Sequence, residues 1–169
     1  MKTMKKRYII VIVCLIILSS GLALFLNYAN QPKTIENQIS DELGVEEDSI
    51  KFFDEQEYGQ YRIVGFEYTT EQYGIARINL SEDLKVEEII TTDKMLRRAE
   101  RVWNCPMSVD GENIYTFLSA NEELDSILWI ENDDKRSFAV DHYPAVINVV
   151  HDPGDAEYYL LDKNGKELQ

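Results

Sequence analysis

The sequence predicts an α+β protein: an N-terminal transmembrane helix followed by a β-rich domain of mostly antiparallel strands with two short helices. Three observations lead there. An uncharged apolar run lies near the N-terminus, two stretches space their apolar residues helically, and many short β-branched and aromatic runs alternate with turn residues.

The apolar run is Tyr8 to Leu26, 19 residues of which 13 are Ile, Leu, Val or Phe. At roughly −0.3 to −0.6 kcal/mol per such residue, insertion into lipid gains about 4–8 kcal/mol. A helix of that length rises about 28 Å, close to the hydrocarbon thickness. Lys2, Lys5, Lys6 and Arg7 precede it and orient the N-terminus to the cytoplasm. The competing reading is a cleaved signal peptide ending at Gly21-Leu22-Ala23 and a secreted product, but Leu24-Phe25-Leu26 prolong the run beyond that cut. The expected organisation is a basic cytoplasmic tail (1–7), a single-pass signal anchor (8–26), a connector with an amphipathic helix (27–44) and an extracytoplasmic domain (45–169).

Ile35, Ile39 and Leu43 recur at helical spacing, with Pro32 before them and Gly44 as a stop, so a helix is expected over 32–43. Strands are expected over 49–57, 60–69, 73–80 and 85–91, joined by short polar or glycine-containing turns as an antiparallel meander. Asp93 to Trp103 reads as the second helix, with Asp93 as N-cap, Leu96, Ala99 and Trp103 on one face, and Pro106 ending it. Further strands are expected over 113–119, 126–131, 137–142, 145–151 and 157–161.

The composition narrows the function classes. The 169 residues carry 17 Lys+Arg against 31 Asp+Glu, a formal charge of −14, and so argue against a binder of nucleic-acid backbone. Split at the apolar run, that charge becomes +4 before it and −18 after it. Two cysteines supply neither a disulfide framework nor a structural zinc site. Cys105 reads as a half-buried thiol, with an intermolecular disulfide as the alternative.

Candidate chemistry is sparse. His142 ends one expected strand and His151 the next, nine residues on and about 30 Å apart if extended, which is too far for one metal site. Asp152, Asp155 and Glu157 offer oxygen ligands for calcium, but Asp-Pro-Gly-Asp is also ordinary turn composition. Acidic pairs such as Glu87-Glu88 and Glu122-Glu123 are expected by chance in so acidic a chain. The conspicuous exception is a local reversal of charge: Lys94, Arg97, Arg98 and Arg101 would share one face of the second helix. They are the candidate patch for an anion or an acidic partner, and no catalytic, metal or cofactor residue is assigned. Ten tyrosines add a second candidate contact surface, for protein or glycan.

The expected function is therefore a non-enzymatic interaction, sensing or accessory module, membrane-anchored at a bacterial cell surface. Its partner would be a protein or a cell-wall glycan. The alternatives are an envelope-polymer hydrolase using scattered acidic residues and a calcium-stabilised binding domain.

Overall fold

A computed structural model describes residues 33–81, 83–152 and 155–168. The order of elements is one helix, α1 (Ile35–Leu43), a 3-10 turn (Glu47–Ser49), and eleven strands: β1 (Lys51–Tyr58), β2 (Tyr61–Thr69), β3 (Gln72–Asn79), β4 (Lys85–Thr91), β5 (Leu96–Ala99), β6 (Val102–Val109), β7 (Glu112–Ser119), β8 (Ser126–Glu131), β9 (Asp134–Ala139), β10 (Ala145–His151) and β11 (Ala156–Leu161).

All pairings among these strands are antiparallel, and they form three sheets. Sheet A is the meander β1-β2-β3-β4, sheet B has the order β10-β7-β6-β5, and sheet C has the order β11-β8-β9. Three apolar clusters show how the layers stack. Helix α1 lays Ile39 on Val64, Phe66, Ala76 and Ile78 of sheet A. The opposite face of sheet A, through Ile63, Tyr73 and Ile75, meets Cys105, Met107, Ile114 and Leu118 of sheet B. The far face of sheet B, through Val102, Phe117 and Val149, meets Ile127, Trp129 and Leu160 of sheet C. Sheet B is thus covered on both faces, which is why β6 and β7 bury residues of both parities.

Local chemistry explains the elements. Thr34 caps α1, its hydroxyl accepting the Asn37 N–H at 3.1 Å. Gly44 ends the helix in the left-handed region (φ 67°), a conformation that glycine adopts without steric penalty. The turn between β8 and β9 puts both Asn132 and Asp133 at positive φ, the geometry that matches the right-handed twist of a two-residue hairpin.

Two expectations are corrected. The α+β class with two short helices gives way to a mostly antiparallel β-sheet structure with one described α-helix. Residues 93–103 are not helical: they hold β5, a tight turn at Glu100-Arg101, and the start of β6. The helical spacing of Leu96, Ala99 and Trp103 misled because the turn carries no glycine, asparagine or proline. Arg101 itself takes φ 55° there. Burial decides the outcome, with Ala99 and Val102 paired across the hairpin and both packed in the core between sheets B and C. Pro106 does not stop a helix. It sits on β6 beyond the reach of the short β5, where a missing N–H breaks no ladder bond on that side.

The second correction concerns the membrane. Among the described residues no helix is long and apolar enough to cross a bilayer, so the transmembrane, single-pass and signal-anchor expectations find no support. The run Tyr8 to Leu26 on which they rested lies outside the described residues.

Candidate functional site

Strand β5 is the short edge of sheet B, and it carries the charge reversal seen in the sequence. Met95 and Ala99 anchor its two ends in the cores. Between them Leu96 is 57% exposed, and Arg97 and Arg98 are exposed beside it. The four cations do not form one helical face. Lys94 is exposed just before the strand, while Arg97 bends back so that its Nε donates to the Ala99 carbonyl at 3.3 Å. Arg101, in the turn, donates to the Tyr73 hydroxyl at 3.4 Å and pairs with Glu71 at 3.7 Å.

Arg98 is the best-held of the four. Its Nε donates to Asn104 Oδ1 at 3.1 Å, its Nη2 donates to the Tyr115 hydroxyl at 3.3 Å, and its guanidinium carbon lies 5.7 Å from the Tyr158 ring centroid. Asn104 in turn donates to the Tyr158 hydroxyl at 2.8 Å, and Trp129 stacks behind Tyr158 with 9° between the planes. Burial raises the Tyr158 pKa and the neighbouring Tyr115 adds to it, while Arg98 and Asn104 act the other way. The result is a guanidinium fixed by neutral groups.

The pairing of the other arginines sets this arrangement apart. Arg62 meets Glu55 and Glu57, Arg77 meets Glu87 and Glu88, Arg101 meets Glu71, and Arg136 meets Glu131. Among the described residues, Arg97 and Arg98 alone of the arginines have no carboxylate at salt-bridge distance.

Other sequence candidates are dispersed. His142 lies against Asp54 and Asp141, whereas His151 stands at the other end of β10 beside Glu131. Among the described residues no group of three or more His, Cys, Asp or Glu is placed to hold a metal ion. Glu87 and Glu88 serve Arg77. Glu131 is 9% exposed: Oε2 accepts from Arg136 at 3.0 Å, while Oε1 has no hydrogen bond and lies 3.8 Å from His151. It borders a hollow of about 390 Å³ between the β8–β9 turn and the end of β10. A larger groove, about 630 Å³, runs beside β1 between Ile35, Phe52 and Arg62.

The sequence does not single out Asn104 and offers the tyrosines only as a general contact surface, because the placement of Asn104, Tyr115 and Tyr158 around Arg98 arises only where sheets B and C meet. The sequence signal on this strand is the contrast of Arg97 and Arg98 with an otherwise acidic chain. In comparisons with protein-family models, curated proteins and solved structures, none matches this chain.

Proposed function

We propose that this domain is a non-enzymatic interaction module that receives an acidic protein segment at strand β5. The observation that carries the reading is the pair Arg97 and Arg98, which lack carboxylates in a domain that matches its other described arginines. A guanidinium offers a planar fork of donors suited to a carboxylate, and one already held by Asn104, Tyr115 and Tyr158 has less freedom to lose on binding. Exposed Leu96 supplies an apolar contact between the cations, which suits a peptide better than a bare anion. The remainder of the domain is acidic and repels such a partner elsewhere, so the patch also sets the docking orientation.

The test is a fluorescence titration with a labelled extended peptide alternating Glu and Leu, against a control with Gln in place of Glu. Binding that weakens with salt, and that falls at least about tenfold in Arg97→Gln/Arg98→Gln while the melting transition stays cooperative, is the expected result. Equal binding by the double variant, or by the Gln peptide, removes the proposal. Arg97→Gln alone, whose side chain holds only the Ala99 carbonyl, guards against loss of fold as the cause.

A further inference from the structure

Sheets A and B meet not only through their cores but along a seam between two edge strands, β1 and β10. Phe53 and Val146 pack into the same cluster there. Asp54 Oδ2 accepts the Val146 N–H at 2.6 Å, so a side chain of one sheet satisfies an edge amide of the other. Two residues on, Asn148 donates to Gln56 at 3.3 Å.

His142 closes this seam from the β9–β10 connection. Its Nε2 lies 2.9 Å from Asp54 Oδ1, and its Nδ1 lies 2.9 Å from Asp141 Oδ1. An ionised carboxylate only accepts, so satisfying both contacts requires both ring nitrogens to donate, and only the imidazolium does that. A neutral ring has one N–H, and its other nitrogen would turn a lone pair toward a carboxylate. The charged groups that meet the ring are Asp141 from its own connection and Asp54 from β1.

We propose that His142 is a proton-operated latch: as the imidazolium it fixes Asp54 in place to hold Val146, and on losing its proton it lets β1 and β10 part more readily. The hydrogen bonds that His142 donates, first to Asp141 and then to Asp54, raise its pKa above the ordinary value, which agrees with the geometry. A group whose folded pKa is raised lends its stability below the unfolded pKa and loses it as pH rises through the folded value. The seam is therefore tight in mild acid and loosens toward alkaline pH. The ring is 53% exposed, so protons exchange with it freely.

The test is amide hydrogen exchange on the intact chain between about pH 5.5 and about pH 8.5, corrected for the intrinsic pH dependence of exchange. Protection of the Val146 amide should fall by about tenfold across that range in the wild type. In His142→Gln it should stay at the lower level throughout. Asp141→Asn removes the first of the two carboxylates at an exposed position, where the fold should tolerate it, and should move the fall to lower pH. NMR titration of His142, assigned with the help of His151→Gln, reads the same pKa directly. The latch is overturned if His142 titrates at or below the ordinary histidine value. It is equally overturned if Val146 protection responds to pH alike in the wild type and His142→Gln. If His142→Gln does not fold, the wild-type titration and Asp141→Asn decide alone.

Discussion

The Thr116 hydroxyl donates to Asn148 Oδ1 at 2.7 Å, joining β7 to β10 where Thr116 is 1% and Asn148 is 8% exposed. With Asn148 donating onward to Gln56, this forms a polar thread between sheets A and B, beside the Asp54–Val146 contact. Thr116→Val keeps the shape but leaves the Asn148 oxygen without its donor. Such orphaned buried groups cost about 1–3 kcal/mol, and urea denaturation should show a loss of that size. Adding Asn148→Leu removes the orphan, so the double variant should recover part of the loss. A double variant that is worse by the full sum of its parts would refute this account.

Gly65 on β2 is a second fixed point of the same boundary. A Cβ there would stand 2.4 Å from a ring carbon of Phe53 and 2.6 Å from a methyl of Val146. Gly65→Ala should therefore destabilise by about 1–3 kcal/mol, the usual range for overpacking. Phe53→Leu in the same chain opens space and should relieve some of that loss. An alanine variant as stable as the wild type, by thermal or urea unfolding, would contradict the close approach.

How far the sequence could be read depends on where each signal is written. Strands Lys85–Thr91 and Ala145–His151 form over the residues expected, because β-branched runs and polar turns are local properties. Leu43 and Gly44 likewise end α1 as their chemistry requires. Residues 93–103 resisted because Met, Leu, Arg, Ala and Glu favour helices in isolation, whereas burial of Ala99 and Val102 on sheet B outweighs that preference. The turn that reverses the chain rests on Arg101 in a conformation the residue type does not announce. At the site, Arg97 and Arg98 stood out by charge alone. What holds Arg98 did not, since Tyr158 comes from sheet C and is 60 positions further along the chain. Asp54 and His142, 88 residues apart, leave no local trace of their pairing.

Cys105 on β6 is 7% exposed, and burial, helped by the charge of Glu88, pushes its thiol up to about 12. The thiolate is the reactive form, so the folded protein should resist a disulfide reagent near pH 8. Reaction should begin only in denaturant or at the rate of global unfolding. The intermolecular disulfide weighed from the sequence would need this buried sulfur to reach a second chain. A folded protein that labels within seconds, or that migrates as a reducible dimer, would place the thiol at the surface instead.

Asp162 governs the turn after β11. Its Oδ1 accepts the backbone N–H groups of Asn164 and Lys166, both at 2.8 Å. The Lys166 amide is the main reason its pKa lies below the usual carboxylate range, with the Asn164 contacts adding to it. A depressed folded pKa contributes stability above the unfolded value near 3.9 and loses it as pH falls through the folded value. Asp162→Asn keeps an acceptor oxygen but discards the charge, so it isolates this effect. The variant should melt below the wild type at about pH 7, and the gap should narrow as pH falls from about 5 toward about 2. A gap that stays constant over that range would assign the effect to the shape of the turn rather than to the ionised carboxylate.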